Sequence, residues 1–343
     1  MIQLFTEDSK PAHGNPAVDG SQATENTPRE IASKDKLLKS IDDVRRGLQT
    51  VIRGKDDVID SMLTAVIAEG CVLLEDVPGV GKTTLAKSMA ALIDMDFQRV
   101  QCTPDLLPAD ILGSSIFQPA TGSFEFRAGP IFSNLLIADE VNRASPRTQS
   151  ALLEAMAESQ VTIDGTQYDL KHPFLVIATQ NPNGFEGTFP LPESQMDRFL
   201  LRLSMNYPDA ESETDLLLDQ PTDDPDFRLE PVMHRDDMVA LQTIARNTNV
   251  DRKIAKYIVE LVSATRTDTR IRVGCSPRGS KMLLRAAKAR AVLMGRDFVL
   301  PDDIQALAVP SMAHRISTRN LSTDSEDAEI IVRDILNQTE VPV

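Results

Sequence analysis

The segment CVLLEDVPGVGKTT, beginning at Cys71, carries a glycine-rich loop with Lys82 and Thr83 directly behind it. A short apolar run enters the loop, and a helical pattern leaves it at Lys82. Such a loop aims successive backbone N–H groups at phosphate oxygens, and the positive end of the helix dipole adds to their pull. The cradle would comprise Pro78, Gly79, Val80, Gly81, Lys82, Thr83 and Thr84. Lys82 would reach the terminal phosphates, and the Thr83 hydroxyl would coordinate Mg²⁺. The full pattern asks for glycine five positions before Gly81, where this chain has Asp76. A carboxylate at the loop entrance can turn away from the phosphates. If it stayed in solvent beside them, repulsion of about 1 kcal/mol would weaken binding without abolishing it.

A second apolar run, LLIADE from Leu135, ends in Asp139 and Glu140. Behind a phosphate loop, an acid at that strand end holds the Mg²⁺ ligand shell, and the next Glu can polarise the attacking water. The competing reading is a strand that simply runs into a polar loop.

These groups need a sheet to hold them. CVLLE, FQRVQ from Phe97, LLIAD, FLVIAT from Phe174 and FLLRL from Phe199 read as buried strands. Helical patterns at 82–93 and 147–158 lie between them. Strands apolar on both faces and alternating with helices predict a parallel sheet covered by helices. Two more helices precede it, near 33–48 and 56–68. Beyond Tyr207 the strand signals stop. Helices are predicted at 209–219, 236–247, 252–265, 278–294 and 302–314, with one more short helix around Ile330–Leu336. The fold class is therefore α/β: a three-layer αβα phosphate-loop sheet domain at 33–206, an all-helical lid at 207–315 and a C-terminal segment at 316–343. Residues 1–32, rich in Pro, Gly, Ser and acids, read as a mobile tail.

Two insertions interrupt the sheet domain. One, within 104–130, contains TGSFEF; the other, from Gln160, centres on Asp164-Gly165, a strong hairpin signal. Phe124 and Phe126 could grip a polypeptide, or both hairpins could pack on their own domain.

Composition narrows the function classes. The 343 residues carry a net charge of −15, with 4% aromatics and no Trp, which disfavours nucleic acid and anionic membranes as partners. No apolar run approaches the ~18 residues of a membrane span. The N-terminus lacks a basic stretch followed by an apolar core, so the expected compartment is the cytoplasm. Three cysteines and four histidines are scattered without ligand spacing, which argues against a disulfide framework or zinc site. Against the acidic total, 252–296 holds twelve Lys or Arg and two acids. It reads as a solvated face balancing acidic neighbours, a dock for an acidic partner or subunit, or a nucleic-acid contact.

The segments LLEDVPGVGKTTLAK, GPIFSNLLIADEVNRASPRTQSALLEAMAESQVTIDG, FLVIATQNP, LPESQMDRFL and SPRGSKMLLRAAKARA resemble the MoxR family of AAA+ ATPases, in order and spacing. The resemblance runs from about Ser33 to the C-terminus. It implies ATP and Mg²⁺ as cofactors and adds roles to three residues. Asn181 resembles the sensor-1 residue that orients the attacking water. Arg198 resembles the arginine finger given to a neighbouring subunit. Arg278 resembles the sensor-2 arginine, reaching from the lid to the γ-phosphate. Each also has a local reading, as a turn, a surface ion pair and a helix flank. Asn142 and Arg143 would relay between subunits or form a local connection. The resemblance further implies a homo-oligomer, typically a hexameric ring, and a chaperone that remodels or matures a target together with a VWA-domain protein. Trans-acting arginines contribute ~10³–10⁵ in rate in GTPases, so an isolated subunit would hydrolyse ATP slowly. Alternatives are a binding switch with slow hydrolysis and a nucleic-acid motor; a small-molecule kinase would not need the arginines or the lid.

Overall fold

The strand runs read from the sequence assemble into one parallel sheet in the computed structural model, which describes residues 32–77, 79–180, 188–207, 210–211, 213–214, 229–319 and 325–342. Its strands are β1 (Val72–Glu75), β2 (Phe97–Gln101), β5 (Leu135–Asp139), β8 (Leu175–Gln180) and β9 (Leu201–Leu203). They lie in the order β2-β5-β8-β1-β9, every pairing parallel. Parallel strands point their C-terminal ends to one edge. The ends of β1, β5 and β8 therefore meet there.

Alternation along each strand feeds two cores. Val72, Leu74, Leu135, Ile137, Leu175, Ile177, Leu201 and Leu203 face one apolar cluster. Leu73, Leu136, Ala138, Val176 and Ala178 face the other. The first face is covered by α1 (Lys34–Val51), α2 (Asp56–Ile67) and α3 (Lys82–Leu92). Leu37, Ile41, Val44 and Leu48 form the buried stripe of α1, at helical spacing. The second face is covered by α4 (Pro108–Leu112) and α5 (Pro146–Glu158). Ser145 caps α5 by accepting from the Thr148 N–H, with Pro146 as its first residue.

The hairpins are β3 (Gly113–Gln118) with β4 (Ser123–Ala128), and β6 (Gln160–Ile163) with β7 (Thr166–Asp169). Asp164 and Gly165 have φ of +51° and +80°, the pair of positive values a two-residue type I′ turn requires. Phe126 stacks on Tyr168 at 4.3 Å and meets Phe132 edge-on at 5.6 Å, tying the two hairpins together. Of the two readings left open for these phenylalanines, packing on the domain fits Phe126. Phe126 is a packing residue, while Phe124 is 73% exposed and touches Phe117 at 5.4 Å.

After the short helix α6 (Glu193–Met196) and β9, the chain turns helical: α7 (Arg235–Arg246), α8 (Arg252–Thr267), α9 (Pro277–Leu293), α10 (Pro301–Met312) and α11 (Ser325–Gln338). The small strands β10 (Ile271–Val273) and β11 (Ser317–Thr318) pair with each other. These helices share the first apolar cluster with α1–α3, so lid and sheet have a common core. The helix expected at 209–219 falls largely outside the described residues.

Much of the charge in the basic stretch 252–296 is paired. Arg270 pairs with Asp268 and Asp334, Arg272 with Glu193, and Arg296 with the buried Asp303. Arg266 donates to the Cys275 carbonyl, and Lys288 to the Arg246 carbonyl. Of the three readings of this stretch, these pairs fit a face that balances acidic neighbours.

Candidate functional site

β1 delivers the phosphate loop to the sheet edge. Gly79 and Gly81 have φ of +89° and +91°. Nothing lies within 4 Å of a Cβ placed on Gly79, so the backbone conformation, not space, demands glycine there. Gly81 is the N-cap of α3, and Lys82, Thr83 and Thr84 form its first turn, with their N–H groups at the helix end. Pro78 lies outside the described residues.

Lys82 folds back over the loop, and its Nζ donates to the Asp76 carbonyl at 2.8 Å. Burial lowers its pKa, and the nearby Asp76, Asp139 and Glu140 carboxylates oppose that shift. A phosphate would replace a neutral carbonyl with an anionic acceptor, a stronger partner for an ammonium.

The Asp76 carboxylate does not enter the cradle. It turns towards the segment behind β9, accepting from Ser204 Oγ at 2.7 Å, Met205 N at 2.7 Å and Asn206 N at 3.0 Å. It is 5% exposed. The non-glycine residue in the loop is therefore a tie between the phosphate loop and the strand that leads to the lid. Lys55 extends the tie by donating to the Tyr207 carbonyl at 2.8 Å.

Asp139 ends β5 two strands away, with β8 between. Thr179 on β8 organises the acidic pair: its Oγ1 donates to Asp139 Oδ1 at 3.1 Å and accepts from Glu140 N at 2.9 Å. Asp139 Oδ2 accepts from Arg99 Nε at 2.6 Å. Glu140 has φ +55°, ψ +49°, a left-handed conformation that costs a non-glycine residue on the order of 1–3 kcal/mol and clusters at functional sites. Its carboxylate pairs with Arg143 at 2.9 Å. Arg143 is therefore a local partner of Glu140. Asn142 is buried at the same turn, and its carbonyl accepts from Phe189 N. Thr179 and Arg99 were not singled out in the sequence. They become visible only when the strand order sets them beside Asp139.

The loop and the acids share one edge. The donor set of Thr83 hydroxyl and Asp139 carboxylate is all oxygen, which suits Mg²⁺. Asn181 lies outside the described residues.

The two arginines sit elsewhere. Arg198 and Arg278 line one cavity of about 180 Å³, together with Arg285, His172 and Cys71. Arg198 Nη1 donates to the Leu153 carbonyl at 2.6 Å, and Arg285 Nη2 to the Glu69 carbonyl at 2.7 Å. Cys71 immediately precedes β1, whereas Lys82 follows its far end. The length of β1, roughly 13 Å at ~3.3 Å per residue, separates the two groups. The structure brings Arg198 and Arg278 together and does not bring either to the phosphate loop of the same chain. Burial pushes the Cys71, Cys102 and Cys275 thiols up to about 11, 12 and 11, so none is a thiolate near neutrality.

Comparison with known proteins agrees with this layout. Residues 71–201 match the model of the ATPase family associated with various cellular activities (AAA), and 263–335 match the AAA lid domain. An uncharacterized protein of Bacillus subtilis, YeaC, is 48% identical over 90% of this chain and 95% of its own length. Chaperone MoxR1 of Mycobacterium tuberculosis is 36% identical over 89% of this chain and 82% of its own. The crystal structure of a putative ATPase from Cytophaga hutchinsonii superposes with a TM-score of 0.81 at 37% identity, covering 90% of this chain and 97% of that one. A parallel sheet with a phosphate loop, an acidic pair at the same edge, a helical lid and these relatives together place the chain in the MoxR family of AAA ATPases.

Proposed function

We propose that the chain hydrolyses Mg-ATP at sites shared between neighbouring copies in a ring and uses the cycle to remodel a partner protein. The observation that carries the reading is the separation just described. A chain holds its phosphate loop and acids at one end of β1, and Arg198 and Arg278 around a cavity at the other. A ring turns that separation into a complete site at each junction, with one subunit presenting its arginines to the next subunit's nucleotide. The backbone N–H groups of 79–84 and Lys82 would hold the phosphates. Glu140, once released from Arg143, would take the proton of the attacking water. Asn181 would orient that water. Arg198 and Arg278 would meet the charge that develops on the γ-phosphoryl oxygens. Thr83 and Asp139 would hold Mg²⁺, which would supply positive charge against the phosphates.

The remodelling role rests on the relative named Chaperone MoxR1, and partnership with a VWA-domain protein rests on family resemblance. Phe117 and Phe124, exposed at the hairpin tip, offer an apolar contact for such a target. The binding-switch alternative keeps the same site and differs only in turnover.

Mixing two inactive variants tests the shared site. Lys82→Ala subunits hold no nucleotide but still present arginines. Arg198→Ala/Arg278→Ala subunits hold nucleotide but present none. Turnover restored on mixing supports the shared site; two variants that stay silent together refute it.

A further inference from the structure

The Arg198 loop and the Arg278 helix come from different domains, 80 positions apart in sequence. Yet both must reach one phosphate, and something must hold them in register. The candidate is the residue beside Arg198. The two carboxylate oxygens of Asp197 point to different elements: Oδ1 accepts from Arg315 Nε at 2.9 Å, and Oδ2 accepts from Ser276 Oγ at 3.2 Å. Ser276 is the N-cap of α9, where its Oγ also accepts from Gly279 N, and Arg278 is the second residue of that helix. One carboxylate is thus bonded to the helix start that carries Arg278 and is covalently next to Arg198.

Arg315 makes this contact rigid. Its side chain is 1% exposed. It also donates to the carbonyls of Phe199 and Leu200, which follow Arg198, and to the Ser311 carbonyl at the end of α10. Gly279 lets it approach: a Cβ there would stand 3.3 Å from Arg315 Cδ. Asp197 is the carboxylate that balances this buried guanidinium. A surface ion pair contributes little, but removing one partner of a buried pair is costly.

We infer that Asp197 is a positioning residue that registers Arg198 and Arg278 as one unit for the neighbouring subunit's nucleotide. The inference rests on the shared-site reading above. It makes a directional claim: Asp197 matters in the subunit that gives arginines, not in the one that holds nucleotide. A merely structural ion pair has no such direction.

The mixed-variant assay reads that direction. Asp197→Asn is placed first in the Lys82→Ala donors, then in the Arg198→Ala/Arg278→Ala holders, and restored ATP turnover is measured with mass and nucleotide affinity of each mixture. A misplacement of ~1 Å far from the chemistry can cost ~10²-fold. The expected loss in the donor placement is about 10–100-fold, at least tenfold greater than in the holder placement. Equal losses in both placements, or no loss in donors, overturn the inference while leaving the shared site standing. If Asp197→Asn subunits do not assemble, Ser276→Gly decides by the same comparison. It deletes the hydroxyl bonded to Asp197, and glycine is the mildest replacement a helix cap of this kind tolerates. A several-fold loss confined to donors supports the inference, and a symmetric or absent loss overturns it. Failure of the unmodified pair to restore turnover refutes the shared site itself, and the inference with it.

Discussion

Restoring the usual glycine at the entrance of the phosphate loop is expected to harm this protein. Asp76 accepts from two backbone N–H groups, of Met205 and Asn206, and from the Ser204 hydroxyl, at 5% exposure. The hydroxyl has a second acceptor in Asn206 Oδ1 at 3.1 Å, so its loss is partly absorbed. The two N–H groups would be orphaned, at about 1–3 kcal/mol each. Asp76→Gly should therefore cost roughly 2–6 kcal/mol. At about 2–4 °C per kcal/mol for a domain of this order of size, the melting temperature should fall roughly 4–24 °C. ATP affinity should not improve. The opposite geometry, with the carboxylate facing the phosphates, makes the opposite forecast. Relief of about 1 kcal/mol of repulsion would tighten ATP about fivefold without loss of stability. Scanning calorimetry and titration with a fluorescent ATP analogue on the same samples distinguish the two. An unchanged melting temperature with tighter binding refutes the assignment of Asp76 as a tie.

Three further outcomes follow from the geometry. Glu140→Gln should bind ATP with little change yet lose about 10²–10⁴-fold in turnover, as removal of a general base does; full turnover would relieve Glu140 of that role. His314 is buried, and burial first, then Arg315 and Arg202, pull its pKa well below 6.5. The unfolded chain therefore takes up the proton first. Stability from this residue is complete above about pH 6.5 and is lost at up to ~1.4 kcal/mol per pH unit as the pH falls below it. Urea midpoints of the wild type and His314→Gln should converge towards acid, and parallel curves would contradict the shift. Phe126→Ala should destabilise by roughly 1–3 kcal/mol, less than the ~3–5 of a fully buried Phe, because it loses its stack on Tyr168. Phe124→Ala should stay within about 0.5 kcal/mol and instead weaken target contact. Equal melting shifts in the two variants would refute this division.

Local chemistry was legible from the sequence, and long-range partnership was not. The loop at 79–84, the acids after β5 and the Asp164-Gly165 turn each depend on neighbours within a few residues, so periodicity and turn chemistry exposed them. Helices such as α8 and α9 were placed from the sequence at 252–265 and 278–294, and the structure sets them at Arg252–Thr267 and Pro277–Leu293. The direction of the Asp76 side chain depends on residues about 130 positions away, and the partner of Asp197 lies 118 away. No local pattern encodes such pairs. Phe124 and Phe126 look alike in sequence. Only the second hairpin, which brings Tyr168 against one of them, tells them apart. That the basic stretch balances acidic neighbours was among its readings, but which acids do so was not legible, because Glu193, Asp303 and Asp334 lie in other segments.

The most direct measurement is ATP turnover per subunit across a wide range of protein concentration, with light scattering on the same samples and Glu140→Gln as the control. A site completed by a neighbour's Arg198 and Arg278 requires that specific activity rise in step with assembled mass and vanish in the control. Full turnover per subunit from particles of single-chain mass would contradict the shared site.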